Sequence, residues 1–371
     1  MSSDIVLLIV IATALAFDFT NGFHDTANAI ATSVSTRAMS PRFAVAMSAV
    51  LNFAGAFISL AVAATVAKGI VEADAITTTV VFAGLIGAIA WNLATWWFGL
   101  PSSSSHALIG GVVGAALVAD GTSAVQGDGL LEKVVVPGVM APVLAFVVAG
   151  LGIVITYGIV ARLPPGPVHR GFRLGQIVSG AMFSLAHGTN DAQKTMGVIT
   201  LALIAHGDLS ADNFHVPTWV IVSSASAIAL GTYAGGWRII RTVGSRIIRM
   251  DPAQGFCAQS SGAAVVLTAS HLGFPLSTTH VISGAVMGAG AAKRLSAVRW
   301  GIAGNIAVAW VLTLPAAALI GGVTYAIQSA FGSGALGPIV VVICVVGLLA
   351  AAIGRRWSAE RVPATRSEGA A

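Results

Sequence analysis

Hydrophobic residues run through this chain in eleven long stretches that hardly any charge interrupts. They lie at roughly 5–35, 43–67, 77–99, 102–119, 134–161, 174–205, 216–240, 255–273, 276–292, 300–327 and 336–354. A bilayer core about 30 Å thick needs about 20 apolar residues per helix. In lipid every backbone N–H and C=O must find its partner within the protein, and a helix achieves this segment by segment. An all-α polytopic membrane protein is therefore expected. Composition agrees: 9% of residues are charged, against about 25% in soluble domains. The 43 glycines suit close helix packing. The first and sixth stretches are too long for one simple crossing, and polar residues interrupt both, so broken helices or re-entrant hairpins are expected. The start, MSSDIVLLIV, has no basic region ahead of its apolar run, so that run is expected to stay as a membrane helix. Cys257 and Cys344 sit in separate apolar stretches and read as small hydrophobes rather than a disulfide.

Charge sorts the loops. Arg37 and Arg42, then Arg162, Arg170 and Arg173, then Arg238, Arg241, Arg246 and Arg249, then Lys293, Arg294 and Arg299 follow odd-numbered stretches. The tail adds Arg355, Arg356, Arg361 and Arg366. The other loops carry Glu72 and Asp74, then Asp120, Asp128 and Glu132, then Asp208 and Asp212. Strict alternation puts every basic loop on one side. The positive-inside rule makes that side cytoplasmic, with the N-terminus out and the C-terminus in, in the cell membrane. The net charge of +5 is thus topological and calls for no nucleic acid.

The sequence repeats itself. Asn21-Gly22-Phe23-His24-Asp25-Thr26-Ala27-Asn28 matches His187-Gly188-Thr189-Asn190-Asp191-Ala192-Gln193-Lys194, with Gly and Asp at the same offset. PSSSSHALIGGVVGA from Pro101 matches PLSTTHVISGAVMGA from Pro275 at seven of fifteen positions. Two matches in the same order point to duplication. Each half holds five stretches, so the second enters the membrane from the opposite side, as in the inverted repeats of carriers. The expected organisation is 1–161 as the first repeat, 162–173 as a short cytoplasmic linker, 174–327 as the second repeat, 328–354 as an extra helix and 355–371 as a cytoplasmic tail.

The thirteen residues Ile5–Phe17 precede Asp18, which places it about 20 Å along the helix. Asp18, Asn21, Asp25 and Asn28 are spaced for one helical stripe. The second half offers Ser184, His187, Asp191 and Lys194. A charge at such depth costs at least about 3 kcal/mol. A lone Asn or Ser there is usually a packing hydrogen bond, but three carboxylates with amide neighbours indicate a cation or proton site. His24 and His187 lie within these motifs and suit proton handling. Ser102 to Ser105 and Ser277 to Thr279 each follow a Pro and open a Gly-rich helix. Hydroxyls and free N–H groups at a helix start form an anion site, although plain N-capping uses the same residues. His106 and His280 fit an anion contact, a proton carrier or a cap equally well. Metal-ligand spacings, a P-loop and a GxSxG elbow are absent, so no catalysis, cofactor or bound metal is expected.

At these motifs the sequence resembles the inorganic phosphate transporter (PiT) family, marked by a duplicated Gly-x-Asn-Asp-x-x-Asn-type motif. The resemblance covers nearly all of the membrane chain, but the large central hydrophilic loop common in that family is reduced to about a dozen residues around Arg162–Arg173. It implies phosphate import by symport, with Ser103, Ser104, Ser105, Ser277, Thr278 and Thr279 at the phosphate. Asp18, Asn21, Asp25, Asn28, Asn190, Asp191 and Lys194 would then serve the coupling cation. Sodium-driven members end both motifs in Asn, whereas here Lys194 stands opposite Asn28. HGTNDAQK resembles the low-affinity bacterial members, which implies H⁺ as coupling ion and phosphate or a neutral complex with Mg²⁺ or another divalent cation as substrate. A sodium-coupled symporter and a sulfate carrier of the same fold are the alternatives. Lys194 fits two roles: a tethered cation in place of a sodium ion, or a structural partner for Asp191. In the first, Asp25, with Asp18, takes up the proton. The bilayer is the expected environment, and a homo-oligomer is compatible with the sequence.

Overall fold

The computed structural model describes residues 2–360 apart from 69, 73, 74, 211, 212 and 333. Asp74 and Asp212 of the acidic loops, and Arg361 and Arg366 of the tail, lie outside the described residues. The fold is nearly all helix, with one isolated β-bridge between Val71 and Val125. The α-helices are α1 Ser2–Ser35, α2 Pro41–Gly55, α3 Ala61–Lys68, α4 Thr78–Phe98, α5 Ser104–Asp120, α6 Gly127–Leu130, α7 Val136–Val160, α8 Pro165–His206, α9 Thr218–Ala234, α10 Trp237–Arg241, α11 Pro252–His271, α12 Thr278–Lys293, α13 Trp300–Ser329 and α14 Leu336–Glu360.

All eleven apolar stretches are helical, but fewer qualify as complete crossings. By length and composition α1, α4, the stretch Gly127–Val160 and α13 are long and apolar enough to span a bilayer. The pair α9 and α10 adds a fifth if its 59° bend is counted within one span. The breaks also differ from expectation. The first and sixth stretches form unbroken helices of 34 and 42 residues. Their carboxylates, amides and histidines meet neighbouring helices, while hydroxyls such as Thr26 and Ser184 bond back to the carbonyl four residues earlier, and the helix continues through both. The interruptions fall at 56–60, between α2 and α3, and at Gly235–Gly236, between α9 and α10. Gly235 takes φ +74, a conformation glycine adopts without strain. Residues 165–173, expected as linker, are the first turns of α8.

Local sequence sets the helix ends that matter. Ser103 and Ser277 are the N-caps of α5 and α12, with near-equal backbone angles (φ −97, ψ 109 and φ −85, ψ 106). Asp251 opens α11 with a reciprocal capping box to Gln254.

Two apolar clusters build the body. One gathers Val10, Ala14 and Phe17 of α1 with Phe82 and Leu85 of α4, Leu108 of α5 and Met196 and Ile199 of α8. The other gathers Ile30 of α1 with Phe183 of α8, Ile153 of α7 and Val281 and Ile282 of α12. The N-terminal half of α1 thus shares a cluster with the C-terminal half of α8, and the reverse holds in the other cluster. The two long helices pass from one cluster to the other, and their polar motifs sit where they do so.

Helices from the two halves interlock. On α5, Gly110 and Gly114 lie against the backbone at Leu314 and Ala318 of α13, leaving no room for a Cβ. On α12, the matching Gly284 and Gly288 meet Pro142 and Phe146 of α7 in the same way. The small residues let the backbones touch, and dispersion holds the contact where lipid removes the hydrophobic drive.

Candidate functional site

The polar stripe of α1 is wholly buried: Asp18, Asn21, His24, Asp25 and Asn28 are each at most 3% exposed. So are His187, Asn190, Asp191 and Lys194 of α8. Burial at this scale demands partners, and most come from the first turns of α5 and α12. Thr279 Oγ1 donates to Asp25 Oδ1 at 3.0 Å. Asn28 Nδ2 donates to Thr279 Oγ1 at 2.9 Å and to Thr278 Oγ1 at 3.2 Å. Thr278 Oγ1 donates to Asp191 Oδ2 at 3.0 Å. One helix start therefore holds the aspartates of both motifs.

The start of α5 holds the cation. Lys194 Nζ bonds Asp191 Oδ1, Ser105 Oγ at 2.5 Å and the carbonyl of Leu276 at 2.9 Å. Its ammonium is surrounded by a carboxylate, a hydroxyl and a backbone carbonyl. Ser105 Oγ itself donates to the Leu276 carbonyl at 2.9 Å, and the rings of His106 and His280 meet edge to face at 4.9 Å. The two hydroxyl-bearing helix starts are thus adjacent.

Both histidines of the Asp motifs touch aspartates. His24 Nδ1 is 2.7 Å from Asp25 Oδ1, and its Nε2 is 3.1 Å from Thr95 Oγ1. Thr95 donates its own hydrogen to Trp91 O at 2.9 Å and accepts from Ser102 Oγ at 2.8 Å. The short Nδ1 contact sets the imidazole directly against the Asp25 carboxyl. His187 Nε2 lies 2.8 Å from Asp191 Oδ2, with Nδ1 3.1 Å from Asn52 Oδ1. Single ligand atoms of Asp25, His187 and Asp191 lie within 4.8 Å of one another.

Other expected residues stand apart. Ser103 and Ser277 spend their oxygens as caps, accepting from the N–H of His106 at 3.0 Å and of His280 at 3.2 Å. Asn190 turns to Ser270 Oγ and the Phe274 carbonyl. The oxygens of Asp18, Ser104 Oγ and Asn21 Oδ1 have no hydrogen-bond partner among the described residues. Thr195 and Asn21 flank the Asp18 carboxyl. His106 Nε2 and His280 Nε2 are also unpartnered, and both rings face an apolar cleft between α7 and α13. Sequence reasoning missed Thr95 and Asn52, which position the two motif histidines. Their only signal is a fully buried polar side chain within an apolar helix, and that pattern is common.

Buried charges and paired helix starts inside an apolar helical body define a class, that of polytopic membrane carriers. The chain belongs to the phosphate transporter family, whose model matches residues 21–321. It is 55% identical over 327 residues to a probable low-affinity inorganic phosphate transporter of Mycobacterium bovis, covering 88% of this chain and 78% of the relative. Proteins so described from Rhizobium meliloti and Bacillus subtilis are 52% and 46% identical, each covering 86% of this chain and 96% of the relative. A solved sodium-dependent phosphate transporter superposes with a TM-score of 0.78 at 26% identity, over 88% of this chain and 99% of that one. The family and these relatives are transporters, not enzymes.

Proposed function

We propose that this protein imports inorganic phosphate by symport with protons through two inverted repeats. The observation that carries this reading is the convergence of Ser105, Thr278 and Thr279 on Asp25, Asp191 and Lys194. Two adjacent helix N-termini that carry hydroxyls suit an oxyanion. The carboxylates beside them make an anion unwelcome until protons or cations arrive. The Thr279 hydrogen goes to Asp25 while that carboxyl is ionised. Once Asp25 is protonated its demand for donors falls, and the hydroxyl is free to turn to phosphate. The direct His24–Asp25 contact gives a transferred proton two adjacent holders and supports this coupling, and Asp18 is a second carrier. Asn28 holds the two hydroxyls in place, Ser104 offers an unused one, and Ser103 and Ser277 shape the helix starts as caps. The three oxygen partners of Lys194 resemble a cation's ligand shell, which supports its reading as a tethered replacement for sodium.

The inverted reading rests on the reciprocal packing of α5 on α13 and α12 on α7, and on the opposed passage of α1 and α8 through the two clusters. The basic loops then lie in the cytoplasm. The sodium-coupled reading is favoured by one observation, the gathering of Asp25, His187 and Asp191 within 4.8 Å. Uptake of labelled phosphate into proteoliposomes decides between them. The expected result is accumulation driven by an imposed proton gradient, unaffected by sodium. Added Mg²⁺ tests for a neutral metal–phosphate substrate, and excess sulfate tests for a sulfate carrier. Accumulation that requires a sodium gradient overturns proton coupling.

A further inference from the structure

We propose that a cavity bounded by Trp97, Phe98, Trp237, Arg238, Arg241 and Arg246 is a second binding site, for a phosphoryl oxyanion, distinct from the central cluster. It has a volume of about 290 Å³. Arg241 and Arg246 are five residues apart and would point to different sides of an α-helix. The chain between them, Thr242–Arg246, is a π-helical turn, in which i→i+5 bonding stacks residues five apart. Both therefore reach one cavity.

Three guanidinium groups bound the cavity. Among the described residues, no carboxylate forms an ion pair with any of them. Arg299 approaches as well, donating to the Arg246 carbonyl at 3.3 Å. Arg238 is held ready: its guanidinium lies 5.2 Å from the Trp96 ring and 4.8 Å from the Trp97 ring, and Nη1 donates to the Trp97 carbonyl at 2.5 Å. One of its five N–H donors is thereby used. Planar donor forks match the tetrahedral oxygens of a phosphoryl group. Trp97 and Trp237 are half exposed at the rim, as aromatic residues are at the headgroup level of a bilayer.

The cavity is tied to the centre by residues 95–102. Thr95 and Ser102 hold His24, and Trp96 packs edge-on against Phe23 at 5.4 Å. Trp97, Phe98 and Gly99 line the cavity. Thr242 Oγ1 clamps the Gly99 carbonyl at 2.9 Å, and Gly99 takes φ +65, as a turn this tight requires. An occupant that orders this segment acts on the same short stretch that positions His24. The oxyanion is either the cargo, which rests on the transport reading above, or the headgroup of an anionic lipid, which does not.

The test uses the full chain labelled with 5-fluorotryptophan in phosphatidylcholine nanodiscs, with the Trp97 and Trp237 fluorine resonances assigned through W97F and W237F. Both resonances are expected to shift saturably with inorganic phosphate, or on doping the nanodiscs with phosphatidylglycerol. In R241Q/R246Q the half-point should rise tenfold or more, while the Trp310 resonance, near the central histidines, stays in place to report an intact fold. A shift with free phosphate identifies the cargo, and a shift only with phosphatidylglycerol identifies a lipid. No shift with either probe, or an unchanged response in R241Q/R246Q, overturns the site. Phosphate uptake without any such shift would leave the transport reading standing and remove this one.

Discussion

Lys194 Nζ and Ser105 Oγ meet at 2.5 Å although 89 residues separate them in the chain. The contact ties the Asp motif of one half to the hydroxyl-bearing helix start of the other. It also brings a positive charge to the place where the first motif has Asn28, whose amide serves Thr278 and Thr279 instead.

Removing the Lys194 charge should therefore be costly in two ways. K194M strands Asp191 without its lysine partner in a buried site, and breaking a buried pair typically costs about 3–5 kcal/mol. The thermal midpoint in detergent should fall, and D191N/K194M should recover part of the loss because no charge is then left unpaired. Uptake should be lost in both. K194N asks a separate question: if its phosphate uptake stays independent of sodium, Lys194 is a structural partner only and not a replaced ion.

Asp25 and Asp18 should separate under mutation. D25N removes the ionisable carboxyl that His24 and Thr279 contact, so uptake should vanish while the protein still reaches the membrane fraction in normal amount. Normal transport by D25N would refute its role. The Asp18 oxygens are fully buried and find no well-formed hydrogen bond among the described residues, with only Thr195 and Asn21 close by, and a neutral amide costs less to bury than an unpaired carboxylate. D18N should then keep or raise the thermal midpoint, while the dependence of uptake on external pH flattens. A drop in midpoint with an unchanged pH profile would make Asp18 structural.

The serines at the helix starts divide by geometry. S103A and S277A each remove a cap, worth about 1 kcal/mol, and uptake per folded molecule should persist. S104A removes a hydroxyl with no partner among the described residues, so stability should hold while the phosphate concentration for half-maximal uptake rises. T279V removes a hydroxyl that links Asp25 and Asn28; it should lower stability by about 1–3 kcal/mol and raise the phosphate concentration for half-maximal uptake. Equal behaviour of the four variants would contradict this division.

Asp251 caps α11 outside the apolar span and gives the stability a pH dependence. Partial burial raises its carboxyl, but hydrogen bonds from the Tyr157 hydroxyl, the Gln254 N–H and Lys293 outweigh this and hold it below the usual range. A lowered carboxyl stabilises above its unfolded value near 3.9 and loses that contribution as pH falls through the folded value. With solvent screening the term is below about 1 kcal/mol. The gap in thermal midpoint between wild type and D251N should be present at pH 7 and shrink steadily once pH falls below about 4. A gap that does not shrink on acidification contradicts the assignment.

Much of this protein was legible in its sequence. Eleven apolar stretches mark where helices form, because a helix alone satisfies its backbone in lipid. The stripe Asp18, Asn21, Asp25, Asn28 follows from a helical period, and the matches at Gly22/Gly188 and Pro101/Pro275 pair the halves. The sequence could not decide which long helices break. Polarity within α1 and α8 suggested interruption, yet side chains such as His24, Asp25, His187 and Asp191 find partners on α2, α4 and α12 and both helices run through. Nor could it divide the hydroxyl runs, since Ser103 as a cap and Ser105 against Lys194 differ only in what faces them. Period and composition are properties of consecutive residues and are written in the chain itself. Which buried polar atom meets which depends on helices brought together from distant parts of the chain, and only the tertiary structure decides that.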